Sequence, residues 1–139
     1  MSLSVQVTFD AAEPQSLAGF WAIALGYVEQ PAPTGYDSWQ AWAADHGIPP
    51  EQWSDTAALV DPDERGPRLL FLKVPEGKTA KNRLHLDIGA GYPDHDRTRI
   101  EAHVTRLVEA GGAVQRRVEE NGEFWVVLTD PEGNEFCVH

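Results

Sequence analysis

The chain has 139 residues, 42% of them hydrophobic and 24% charged, and its 22 acidic against 11 basic side chains give a formal net charge of -11. That length supports one domain around one core, and the composition is globular rather than disordered. The acidic excess repels phosphate backbones and anionic lipid surfaces, so neither nucleic acid nor membrane is an expected partner; its first role is solubility, and any bias it gives a ligand is toward cations.

Val5, Val7 and Phe9 alternate with Gln6, Thr8 and Asp10, the period of a strand with one apolar and one polar face. Pro14 then occupies a tolerated first-turn position, and Leu17, Phe20, Trp21, Ala24, Leu25 and Val28 recur at helical spacing, with Gly26 loosening the end. From 30 to 53 the pattern breaks. Pro31 and Pro33 lead to a cap at Asp37-Ser38, a short helix carrying Trp39 and Trp42, and a stop over Gly47-Ile48-Pro49-Pro50. The segment reads as a surface excursion with its own helix. Trp39, Trp42 and Trp53 either anchor it to the core or line a cavity beneath it; anchoring is the simpler expectation.

Two later stretches share a pattern of strand, Asp-Pro-acid turn and strand. One runs from Ala58 through Asp61-Pro62-Asp63 to Arg68-Leu69-Leu70-Phe71, the other from Val127 through Asp130-Pro131-Glu132 to Phe136-Cys137. Ahead of the second lie the alternating Arg83-Leu84-His85-Leu86-Asp87-Ile88 and a helix with Asp94 or Asp96 near its start and Ile100, Val104, Leu107 and Val108 on one face. Gly111-Gly112 ends that helix. A strand over Ala113–Val118, an Asn121-Gly122 hairpin turn and a strand from Phe124 to Thr129 follow. Each half therefore reads strand, helix, three strands. The expected fold class is α+β, with tandem βαβββ modules over about 4–76 and about 82–139 in one domain, joined by a Lys-bearing crossing.

Alternation sets Arg83, His85 and Asp87 opposite Leu84, Leu86 and Ile88. A carboxylate beside an imidazole can orient and charge it, which makes His85 and Asp87 candidate catalytic residues. The bland alternative is a ladder in which Arg83 neutralises Asp87. Cys137 is the only cysteine, so no internal disulfide or CxxC site forms; it is expected as a small buried residue rather than a nucleophile. His46, His95 and His103 are expected to be structural or exposed and His139 to fray. No GxGxxG, GxxxxGK[ST] or GxSxG motif occurs, which leaves nucleotide hydrolysis and serine-esterase chemistry unsupported. A single cysteine and an N-terminus without basic and apolar leader regions make the cytoplasm the expected location.

The duplicated unit resembles the vicinal oxygen chelate superfamily of glyoxalase I, extradiol dioxygenases and bleomycin-resistance proteins. The resemblance covers nearly the whole chain and rests on Val7-Thr8-Phe9-Asp10 leading to Phe20-Trp21 and Leu25-Gly26, on Val74-Pro75-Glu76-Gly77-Lys78 through Asn82 to Asp87, and on Asp130 through Cys137. It is closest in kind to the glyoxalase-like branch. The resemblance implies modules that curl into a cup, with metal-binding members placing ligands on the first and last strands of each. Those positions fall at Gln6, Leu70, His85 and Cys137. Leucine cannot coordinate and glutamine is a weak donor, so no cofactor is the expectation; if a divalent transition metal is held, its ligands are Gln6, His85 and Cys137.

The function this implies is metal-independent binding of a small organic molecule in the cup, with Gln6, Thr8, Asp10, Arg83, Trp39 and Trp53 as its contacts. The alternatives are a metal-dependent lyase, isomerase or dioxygenase using Gln6 and His85, and a ligand-free subunit or regulatory module. A homodimer is expected, because the curled sheets leave edges and apolar area to cover.

Overall fold

A computed structural model describes residues 1–139. The chain divides into two compact units, one comprising Met1–Ala22 with Gly26–Glu76, the other Ile23–Leu25 with Gly77–His139. The first unit carries β1 (Gln6–Ala11), α1 (Pro14–Leu25, whose last turn groups with the second unit), β2 (Val28–Glu29), α2 (Trp39–Asp45), a 3-10 turn at Pro50–Gln52, β3 (Thr56–Val60) and β4 (Arg68–Lys73). The second carries β5 (Asp87–Ile88), α3 (Arg97–Glu109), β6 (Ala113–Glu120), β7 (Glu123–Thr129) and β8 (Glu135–Val138). Setting α2 and the 3-10 turn aside, both units follow βαβββ.

Their four-stranded mixed sheets share one topology, β1-β4-β3-β2 and β5-β8-β7-β6, with the first strand of each unit at one edge, parallel to the last strand beside it. In the first sheet Gln6 pairs with Arg68, and Thr8, Leu70 and Ala58 form one row across three strands. Row partners share a face. One face is therefore polar-to-aliphatic (Gln6, Thr8, Asp10, Arg68, Leu70), while the other presents Phe9, Leu69, Phe71 and Leu59. That second face is the core: Leu69, Phe71 and Leu59 are buried, and Phe9 stacks on Phe71 and leans on Trp21 of α1, each at a 5.0 Å centroid distance. Burying Trp21 or Phe71 contributes on the order of 2–3 kcal/mol each. In the second unit Ile100, Val104 and Leu107 of α3 are buried with Val126 and Leu128 of β7 and Phe136 and Val138 of β8, the helical and period-2 spacings of the sequence turned inward.

The turns have local causes. Pro14 stands at the first turn of α1, and Gly26 closes it at φ 70°. Ser38 caps α2 by accepting the Ala41 N–H, and Asp96 caps α3 by accepting that of Arg99. Asn121 and Gly122, at φ 53° and 80°, make the β6–β7 hairpin turn.

Three expectations are corrected. Val28 is no part of the α1 face: the helix ends at Leu25, and Val28 pairs with Val60 in β2, half exposed. The strand expected from Arg83 shrinks to Asp87–Ile88, because only these residues lie opposite β8, while upstream the Asn82 N–H goes to the Glu135 carboxylate; Leu84 is consequently 70% exposed. His139 is not frayed, since its N–H donates to Ile88 and its carbonyl accepts from Gly91.

Candidate functional site

Two groups of side chains carry chemistry, one in each unit. In the first unit the excursion between β2 and β3 covers a cleft of about 850 Å³. Trp39, Trp42 and Trp53 form its aromatic wall, Ile48 and Ala58 its aliphatic floor, and Arg68 its basic corner. The tryptophans both anchor and line: the Trp39 indole N–H donates to the Gln30 carbonyl at 2.7 Å and that of Trp53 to the Ile48 carbonyl at 2.8 Å. Trp39 and Trp42 meet edge to face at 5.5 Å, and Trp42 stacks on His46 at 4.2 Å. An indole whose N–H is already bonded has a fixed ring plane, so the wall is preorganised.

Arg68 anchors the polar side of this unit. Its Nε donates to Gln30 Oε1 and its Nη1 to Gln6 Oε1, both at 2.6 Å; Gln6 Nε2 in turn donates to Thr8 Oγ1 at 3.3 Å. The Gln6–Arg68 row of the sheet brings the Gln6 contact within reach, while Gln30 reaches Arg68 from the start of the excursion. Gln6 and Thr8 therefore belong to the Arg68 network on the polar face of β1. Asp10 shares that face, and none of the three lines the cleft. Arg68 went unremarked in the sequence because a lone arginine opening a strand has no pattern to flag it; its register with Gln6 is a tertiary fact.

In the second unit His85, Asp87 and Cys137 converge, with their donor atoms all within 4.8 Å of one another. Register explains it: Asp87 lies directly opposite Cys137 in the parallel β5–β8 pair, and His85 Nδ1 lies 2.9 Å from Asp87 Oδ1. Arg83 is exposed and makes no ion pair with Asp87, whose partner is His85. The Cys137 thiol is pushed up, first by burial and then by the Asp87 charge, so it is protonated near neutrality and is not an activated nucleophile. Imidazole nitrogen, carboxylate oxygen and sulfur are a donor set that a borderline-soft divalent ion accepts, provided the thiol surrenders its proton. The set fits such an ion. Gln6 does not offer the same opportunity, because its amide oxygen is engaged by a guanidinium whose charge opposes a cation. Leu70 lies beside Thr8 in the sheet and offers no donor.

Elsewhere the charged groups serve structure. Glu135 accepts the Asn82 N–H at 3.0 Å and pairs with Lys78 at 3.1 Å, which holds its pKa down at about 2, with the backbone bond the foremost cause. His103, buried, faces the Ala24 carbonyl through Nε2 and Arg106 through Nδ1; burial foremost, then the Arg106 charge against the Ala24 bond, pushes its pKa down.

A fold of two βαβββ units is that of the vicinal oxygen chelate superfamily. The chain belongs to its glyoxalase-like domain family, whose model matches residues 6–139. Similar solved structures include the fosfomycin resistance protein FosX from Mesorhizobium loti, 12% identical, with TM-score 0.64 over 100% of this chain and 91% of that one. A glyoxalase/bleomycin resistance protein/dioxygenase family enzyme from Burkholderia phytofirmans is 15% identical, with TM-score 0.58 over 97% and 94%. A FosX mutant from Listeria monocytogenes, complexed with Mn(II) and 1S,2S-dihydroxypropylphosphonic acid, is 10% identical, with TM-score 0.63 over 100% and 90%. At these identities the likeness is one of fold. No curated protein matches the sequence, and no helix is long and apolar enough to cross a membrane.

Proposed function

We propose that this protein binds a small organic molecule, without a metal, in the tryptophan-walled cleft of its first unit. The observation that carries this is the cleft itself, about 850 Å³ with three tryptophans and one basic corner, the size and mixture of apolar wall and few polar groups that small-molecule sites have. Trp39 and Trp53 serve as ligand contacts, and Gln6 and Thr8 act through Arg68. Asp10 and Arg83 do not line the cleft and take no part in it. Thermal-shift and calorimetric screening of bicyclic aromatic compounds is expected to return single-site binders that Trp53→Ala weakens about tenfold or more. A screen with nothing tighter than weak millimolar would sink the proposal.

A second reading is favoured by one specific observation, the convergence of His85, Asp87 and Cys137. In it those residues hold a divalent transition metal, and the protein is a lyase, isomerase or dioxygenase. The metal would supply Lewis acidity toward vicinal oxygens of a substrate; His85 and Asp87, when not ligating, would hold or move a proton between Nδ1 and Oδ1. Elemental analysis of protein purified without chelator distinguishes the two: a stoichiometric metal that the His85→Ala variant loses establishes this second reading and removes the first one's metal independence.

The assembly that goes with either reading is a cytoplasmic homodimer. Large apolar side chains exposed at Val5, Leu84 and Tyr92 support an interface, and the edge strands of each sheet support pairing.

A further inference from the structure

We infer that the ligand of the tryptophan cleft is an aromatic carboxylate, and that Arg68 receives its carboxylate group. The inference rests on the cleft being the binding site and names the ligand's chemistry.

Arg68 is a half-buried cation bound only by neutral oxygens. Its two bonds go to the amide oxygens of Gln30 and Gln6, and no carboxylate pairs with it. Burying a guanidinium part-way without an anion is costly unless something else supplies the charge, since hydrogen bonds to amides satisfy its donors but leave its charge uncompensated. Nη2 has no protein partner, which leaves unspent the edge of the planar fork that a carboxylate can meet with two parallel bonds. The fork is also aimed. Gln30 ties it to the wall, because the Gln30 carbonyl accepts the Trp39 indole N–H while its side-chain oxygen accepts from Arg68 Nε. One residue thus fixes ring plane and guanidinium relative to each other, the geometry that would orient a flat ring bearing an acid group.

The other charged groups of the cleft set the class more narrowly. Glu29 and Asp55 also line it, and Asp55 is matched by Lys73 at 3.8 Å. Arg68 is the one cation of the lining, and Glu29 is an exposed carboxylate elsewhere on it; one positive charge suits a monoanion, and a phosphate dianion would be left under-neutralised. This reverses the cationic bias that net charge alone suggests, because surface charge is screened within about 8 Å at physiological salt whereas a contact at Arg68 is not.

Calorimetry with 2-naphthoate, 2-naphthamide and 2-naphthylmethylammonium tests the inference. The three share one ring and differ in charge. Naphthoate should bind about tenfold or more tighter than either of the others, the size expected of a charge-assisted pair. In Gln30→Glu a carboxylate beside Arg68 compensates the guanidinium while keeping the bond to Nε, so naphthoate and naphthamide should bind alike; Arg68→Gln should give the same collapse, and Gln30→Glu guards against an Arg68 variant that fails to fold. Equal binding of naphthoate and naphthamide to the unaltered protein, tighter binding of the ammonium, or a naphthoate preference that survives in both variants would overturn the assignment while leaving the cleft a binding site. If none of the three binds at millimolar concentration, the cleft reading falls and the carboxylate assignment with it.

Discussion

His103 shows how one buried side chain can make stability depend on pH. Its Nε2 donates to the Ala24 carbonyl and its Nδ1 accepts from Arg106, which is the neutral tautomer with both nitrogens satisfied. Protonation would put a cation beside Arg106 in a buried site, so the folded pKa lies below the ordinary 6.5. A base depressed in the folded state contributes stability that is present above its unfolded pKa and is lost as pH falls through 6.5 toward the folded value. Urea denaturation at pH 7.5 and 5.5 should therefore show a less stable protein at the lower pH. His103→Gln, which keeps one donor and one acceptor without a titrating ring, should flatten that difference, and an unchanged difference in the variant would assign the pH dependence to other groups.

At the scale of elements, the two Asp-Pro turns use the same device at different depths. Asp130 is 3% exposed and accepts the Glu132 N–H, the Asn134 N–H and the Asn134 side-chain amide, bridging β7 to β8. Asp61 accepts the N–H groups of Asp63, Arg65 and Gly66 between β3 and β4, but at the surface. Removing an acceptor strands donors, and stranding them in the interior costs more. Asp130→Ala should lower unfolding free energy by about 2–4 kcal/mol in denaturant titration, and Asp61→Ala by clearly less; the reverse order would contradict the role of depth. A Cβ at Gly66 would fall 1.9 Å from the Tyr27 hydroxyl, so a substitution there must displace the end of the Tyr27 side chain.

Glu135 plays the corresponding part for the crossing segment. Held at about 2 against an ordinary 4.5, its carboxylate supplies stability that is present above pH 4.5 and lost as pH falls from there toward 2, a window below that of His103. Glu135→Gln should speed hydrogen exchange at the Asn82 amide while leaving Leu128, deep in β7, unaffected. Equal rates at Asn82 in both proteins would show that the segment is held by something else.

For the whole molecule, charge and apolar surface pull in opposite directions. Two chains of -11 repel, while exposed Val5, Leu84 and Tyr92 favour burial against a second copy. Repulsion is screened by salt and apolar association is not weakened by it, so the proposed dimer should tighten as salt is raised from very low values. Sedimentation at micromolar concentration is expected to find about twice the 15.4 kDa of one chain; a monomer across the salt range would defeat the expectation.

Much of the architecture was legible along the chain because secondary structure follows periods that sequence states outright. Alternation in Val5–Asp10, helical spacing in Ile100–Leu107 and the repeated Asp-Pro turns appear as β1, α3 and the β3–β4 and β7–β8 connections, and the duplicated order identified the superfamily. What local pattern left open was decided by register. Arg83–Ile88 alternates throughout, yet only the two residues opposite β8 form a strand. The same pairing places Asp87 against Cys137, fifty positions away in sequence, and Gln6 against Arg68. Periodicity tells which face a residue takes, whereas a site is made by which strand lies alongside and at what offset. That information resides in long-range pairing, and for this protein it placed an uncompensated guanidinium in a tryptophan cleft and a histidine, an aspartate and a cysteine within reach of one another.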